Sequence, residues 1–380
     1  MISLSRRSFM KLAGFSAAAS ILGFPHKSAA GQPARNKKFK IIGVEEHFSA
    51  ADHLDRLLSI FQKRYPVEEV VRQEKYMLAD APFLPSMTSD PGTRKMMAQL
   101  CDLDKGRLED MDNYSLDMQV LSLVSPGVQV FEPAAAARLA REYNDRIAAV
   151  FKAHPKRFAG LASLAPQDPE GAADELERAV KTLGFKGALI NSHTKGEYLD
   201  DKKYWPIFER ADKLSVPIFL HPRGPSPDMM KPFTGYPMLD SAMWGFSAEA
   251  GLHSLRLILS GLFDEFPKLK IVLGHLGETI PFVLARINNR WSVGPFPKKL
   301  KKLPGQYFKE NFVVSTGGMN EEPATLIAAI SILGAENVLF ATDYPMEDAA
   351  QAVDFIERAP ISDKDREKIC HVNAERIFSL

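Results

Sequence analysis

The sequence predicts an α/β protein built as an eight-stranded parallel (β/α)8 TIM barrel, with an inserted cap segment after the first strand. Two observations predict it. From Lys38 onward, apolar β-branched runs alternate with stretches of helical period, and continuous apolar strands in repeated βα units imply a parallel sheet covered on both faces. The runs number eight and none is followed by G-x-G-x-x-G, which favours a closed barrel over an open dinucleotide-binding sheet.

The expected strands are Ile41–Val44, Met118–Leu123, Phe158–Leu164, Gly187–Asn191, Pro217–His221, Ile271–His275, Phe312–Ser315 and Val338–Asp343. Among the helices, Pro133–Ala153 repeats Leu139, Tyr143, Ile147 and Phe151 at about one turn. Glu170–Leu183 stops at Gly184 and Glu322–Leu333 at Gly334, the usual C-terminal signal, and Trp205–Leu214 repeats the scheme. Two insertions break the rhythm. Residues 51–106, with Pro82, Pro85 and Pro91 in the middle, are expected to cap the barrel mouth, and 223–242, with four prolines, directly follow His221. Loops at this end of a barrel carry function more often than loops elsewhere.

Residues 38–380 read as one domain, and residues 1–30 as something else. Ser5 to Lys11 spell SRRSFMK, a twin-arginine motif, ahead of an uncharged stretch from Leu12 to Pro25 and the small residues Ser28, Ala29 and Ala30. That stretch is too short and too rich in Ala, Gly and Ser for a stable membrane anchor. The expectation is a twin-arginine signal peptide and a periplasmic mature protein. Lys+Arg 48 against Asp+Glu 47 leaves a formal charge of +1, so no global field attracts nucleic acid or an anionic membrane. Small molecules are the expected partners. Cys101 and Cys370 lack zinc-motif spacing and are expected to be buried free thiols.

Four distant segments share one grammar, an apolar run ending in a metal-ligand type of residue: KIIGVEEHF, VPIFLHP, KIVLGHLGE and NVLFATDYP. A barrel assembles its site from the C-terminal ends of such strands. The candidate ligands are Glu45, His47, His221 and Asp343, with His275 as a fifth group. Glu45 and His47, two apart in an extended segment, share a face. Imidazole with carboxylate suits zinc, manganese or iron rather than a thiolate site.

These segments, VEEHF, FLHPR, GHLGETIPF and ATDYPME, resemble those of the amidohydrolase superfamily, in its amidohydrolase-2 branch of metal-dependent, oxygen-independent aromatic acid decarboxylases. INSHTKGEYLDD is similar to a segment of the 5-carboxyvanillate enzymes, and the γ-resorcylate (2,6-dihydroxybenzoate) enzymes are a second near group. The resemblance implies one divalent ion, Zn2+ or Mn2+, on Glu45, His47, His221 and Asp343, with Asp343, His275 and Glu278 catalytic. It also implies substrate contacts from Arg286, Tyr344 and Asn191, and a homodimer or homotetramer. His193, after the fourth strand, is expected at the pocket. Arg94 and Arg107 are alternatives for a substrate arginine that the match does not fix.

The implied activity is decarboxylation of an ortho-hydroxy aromatic acid, carboxyvanillate-like or resorcylate-like, by ring protonation followed by loss of CO2. One alternative is a hydrolase of the same superfamily, with Asp343 as general base, cleaving a lactone, ester or amide. Another is a periplasmic binding protein that kept the barrel without the chemistry.

Overall fold

A computed structural model describes residues 38–64, 91–233, 235–236, 238–295 and 300–380. The twin-arginine segment and the middle of the cap insertion, residues 65–90, lie outside the described residues.

The barrel strands are β1 Ile42–Phe48, β2 Met118–Leu123, β3 Phe158–Gly160, β4 Ala162–Ser163, β5 Ala188–Asn191, β6 Ile218–His221, β7 Ile271–Leu273, β8 Phe312–Ser315 and β9 Val338–Leu339. All neighbours pair in parallel, in chain order. The expected third strand is the pair β3 and β4: one half pairs with β2 and the other with β5, while Leu161 N between them donates to Leu121 O at 2.9 Å. Two bonds close the ring from β1 to the last strand, Val44 N to Phe340 O at 3.2 Å and His47 N to Tyr344 O at 2.8 Å.

The inner faces form one buried cluster that includes Ile42, Val44, Val120, Leu161, Leu189, Phe219, Val272, Val313 and Leu339. The C-terminal helix Asn373–Phe378 adds Ile377 and Phe378 to it, stopping the end of the barrel where the strands begin. Outside, the helix Pro133–Ala153 sets Leu139, Tyr143, Ile147 and Phe151 into a second, larger cluster, the face its period predicted. Each such side chain contributes on the order of 1.5–3 kcal/mol by leaving water.

Both ends of the cap insertion are helical, Ala51–Arg64 and Pro91–Cys101, and Ser49 N is tied to Leu100 O at 2.8 Å. The second insertion carries two short 3-10 turns, Pro227–Met229 and Lys231–Phe233. Both cysteines are free thiols, Cys370 buried and Cys101 half-buried. No described helix is long and apolar enough to cross a membrane.

Candidate metal centre

The four segments singled out in the sequence converge at the C-terminal mouth of the barrel. Ligand atoms of His47, His221 and Asp343, all three buried, lie within 4.8 Å of one another. His47 Nε2 is 3.0 Å from Asp343 Oδ1, and the His47 and His221 ring centroids are 4.7 Å apart. Glu45 stands beside them, its Oε1 3.8 Å from His221 Nε2.

Each ring is fixed from behind. Asn191 Oδ1 lies 3.1 Å from His221 Nδ1, Ser122 Oγ 3.2 Å from His47 Nδ1, and Glu278 Oε1 2.7 Å from His275 Nδ1. Where Nδ1 donates to these oxygens, Nε2 of His47 and of His221 would be the lone-pair nitrogen that binds a metal in the holo protein. Ser247 Oγ donates to Glu278 Oε2 at 2.6 Å, holding that carboxylate in turn.

Glu45 is wholly buried; Oε2 accepts from Ser315 Oγ at 2.5 Å, whereas Oε1 has no hydrogen-bond partner among the described residues. Two glycines make room for it. A Cβ at Gly274 or Gly317 would stand 2.6 or 2.4 Å from its oxygens. Burial raises the Glu45 carboxyl to about 7. A buried carboxylate oxygen without a donor, next to two imidazoles and a second carboxylate, is what a cation would satisfy, so the residues fit a divalent ion.

Burial presses the His221 imidazole well below its usual value, and the neighbouring His47 presses the same way, so it is neutral, as a ligand must be. Burial also opposes the charge of His275, but Glu278 first, then Glu45 and Asp343, hold it well above the usual histidine value. Burial would raise Asp343, yet His275 and His47 beside it keep its carboxyl well below the ordinary carboxylate range. His275 Nε2 sits 3.8 Å from Asp343 Oδ2, an ion-pair spacing.

The backbone here is unusual. His275, Leu276, Gly277, Glu278 and Thr279 all have positive φ, between 50° and 84°, and form a left-handed turn ahead of the helix Ile280–Val293. Glu278, expected as a catalytic residue, lies inside this turn. Asp343 has φ 59°, and the last strand ends at Leu339, short of the expected Asp343.

The four residues expected at the substrate are placed as follows. Asn191 spends its oxygen on His221. His193 is buried, Nδ1 accepting from Gly196 N at 3.1 Å and Nε2 facing Gly224 O at 3.0 Å. Tyr344 is buried, its hydroxyl donating to Asp110 Oδ2 at 2.6 Å and its ring lying under the Arg107 guanidinium at 4.7 Å. Arg286 is exposed on Ile280–Val293. Of the alternative arginines, Arg107 is buried and donates to His47 O at 2.5 Å, whereas Arg94 is exposed. Ser122, Ser247 and Ser315 escaped the sequence reading. For Ser122 and Ser315 a signal existed, since both are polar residues near the C-terminal end of an apolar strand.

The profile of the family described as Amidohydrolase matches residues 47–380. Gamma-resorcylate decarboxylase of Polaromonas sp. is 40% identical over 325 residues, covering 83% of this chain and 98% of the relative. The crystal structure of 5-carboxyvanillate decarboxylase from Sphingomonas paucimobilis superposes with a TM-score of 0.80 at 39% identity, covering 90% of this chain and 99% of that one. Dihydroxybenzoic acid decarboxylase from Polaromonas sp. JS666, with bound manganese and the inhibitor 2-nitroresorcinol, gives 0.77 at 36%, covering 90% and 97%.

Proposed function

This chain belongs to the amidohydrolase family, and on that premise we propose that it is a metal-dependent, oxygen-independent carboxy-lyase acting on an ortho-hydroxy aromatic acid, carboxyvanillate-like or resorcylate-like. One observation carries the reading: His47, His221 and Asp343 converge beside the unsatisfied Glu45 Oε1, in a chain similar to decarboxylases along most of its length. Glu45, His47, His221 and Asp343 would hold one divalent ion, Mn2+ or Zn2+. Bound there, the ion supplies Lewis-acid charge that orients the acid and keeps its phenol ionised. Manganese in the related dihydroxybenzoic acid decarboxylase supports the first metal.

Losing CO2 directly would leave an aryl carbanion, so the ring carbon has to be protonated first, with the ortho phenolate pushing electrons toward it. Asp343 is the proposed proton donor. In the free protein its carboxyl is held ionised by His275 and His47, and the negative charge of the entering acid opposes that and favours its protonated form. His275, kept cationic by Glu278, attracts the acid and faces Asp343. Arg286 is the proposed contact for the acid's outer charge. Asn191, His193 and Tyr344 act through the wall they build: Asn191 behind His221, His193 between two loop backbones, and Tyr344 between Arg107 and Asp110.

The test is protein loaded separately with Mn2+ and Zn2+, incubated with ortho-hydroxybenzoates and with esters and lactones, following CO2 and phenolic product by mass. The expected result is CO2 from an acid, reduced by about 10²–10⁴ in Asp343→Asn. Hydrolysis of esters or lactones without CO2 would sink this reading and make Asp343 the base that activates water.

Export to the periplasm is proposed on the twin-arginine motif; an uncleaved protein confined to the cytoplasmic fraction would refute it. A homodimer or homotetramer is proposed on the exposed Met243, Trp244, Phe282 and Val283. A monomeric mass in light scattering would remove that part.

A further inference from the structure

Glu46 lies between two residues of the metal centre and takes no part in the chemistry above. Its position follows from a break in the strand. Ile42 and Val44 belong to the barrel's inner cluster, and simple alternation would then turn residue 46 inward and residues 45 and 47 outward. The register prevents this: Gly43 pairs with Gln119 and Glu46 with Leu121, three steps on β1 against two on β2. The extra residue is a β-bulge, and it resets the alternation so that Glu45 and His47 face the mouth.

The bulge disturbs the seam where the barrel closes. Backbone bonds span it at Val44 to Phe340 and at His47 to Tyr344, and Thr342 N lies between them. The Glu46 carboxylate accepts that N–H at 2.9 Å, the Thr342 hydroxyl at 2.6 Å and Gln119 Nε2, from the other neighbouring strand, at 3.0 Å. A side chain thus does the work of the carbonyl that a regular ladder would offer. The group is fully buried. It fits only because residue 43 is glycine, where a Cβ would stand 2.2 Å from Glu46 Oε1. The residue after Thr342 is Asp343, held at φ 59°, a conformation that a non-glycine residue keeps only when its surroundings impose it.

We propose that Glu46 is the positioning residue of the metal centre: its bulge aims Glu45 and His47, and its carboxylate clamps the strand end that presents Asp343. The inference rests on the metal-centre reading above. Its role is in metal affinity and coordination, beyond a general contribution to folding.

Two substitutions address the same contact from opposite sides. Glu46→Gln keeps the shape and turns one acceptor into a donor; Gly43→Ala keeps the carboxylate and displaces it, at a φ any residue can adopt. Mn2+ titration followed by electron paramagnetic resonance, with melting of the metal-free proteins, reads both. Each variant is expected to bind Mn2+ about 10–100-fold more weakly, with an altered spectrum at saturation, as loss of a supporting partner does. The double variant is expected to be no worse than the weaker single one, because one contact is lost in each. Thr342→Val, which removes a single donor, is expected to weaken binding about fivefold, and it decides the matter if the other two do not fold. Wild-type Mn2+ affinity in variants that merely melt earlier overturns the proposal, as do additive losses in the double variant. Failure of the wild-type protein to bind Mn2+ instead overturns the metal-centre reading itself.

Discussion

At the residue scale, His253 shows how closely neutral histidine is specified. Its Nε2 accepts from Leu199 N at 3.0 Å, so Nδ1 carries the proton and faces Ser192 Oγ, also at 3.0 Å. A second proton would set N–H against N–H. Burial accordingly pushes its pKa down to about 3, with His193 and Arg256 adding to the effect. The unfolded chain takes up a proton near pH 6.5 and the folded one does not until about pH 3. The stabilisation is therefore whole above pH 6.5 and declines as the pH falls through that window. Measured as denaturation free energy, wild type should lose about 1.4 kcal/mol per pH unit relative to His253→Gln between pH 6 and 4. Parallel pH curves for the two proteins would contradict this. The candidate ligands were legible because a metal demands particular residue types at strand ends, and His47, His221 and Asp343 do converge. Of the groups behind them, Asn191 and Glu278 were named from the resemblance, whereas Ser122 and Glu46 show only their polar character in the sequence and take their roles from a neighbouring strand's register.

At the element scale, the left-handed turn at 275–279 costs the most and was the least visible. L-residues pay roughly 1–2 kcal/mol each in this conformation, and only Gly277 of the five is a glycine. GHLGETIPF therefore reads as a strand running into a helix, with nothing to signal the turn. Its reward is geometric, because it brings His275 and Glu278 together at 2.7 Å. Gly277→Ala adds a Cβ at φ 84°, 2.9 Å from Val314 Cγ1, and should destabilise the protein by about 1–3 kcal/mol in denaturant titration. An unchanged midpoint would show that the turn can relax. The β1 bulge gives a related lesson. Alternation correctly put Glu45 and His47 on one face, but Val44 shares that face, which no regular strand allows.

At the scale of the whole molecule, the barrel was legible because eight apolar runs at βα spacing leave few other architectures. The division of the third strand was unforeseen, and it depends on which neighbour each half pairs with. A metal bound by strands from across the ring should stabilise all of it. At free Mn2+ about 100 times its dissociation constant the gain is about 2.7 kcal/mol, so chelation should lower the melting temperature and added Mn2+ should restore it. A chelator without effect on melting would count against a bound ion. The closure also fixes an order of events during synthesis. Val44 bonds to Phe340, and the plug of Ile377 and Phe378 comes later still. A chain emerging from the ribosome offers Glu45 and His47 early and must wait for almost its whole length before Asp343 and the plug arrive. The candidate ligands Glu45, His47, His221 and Asp343 are therefore all present only once translation has passed Asp343, and the plug that stops the barrel follows them.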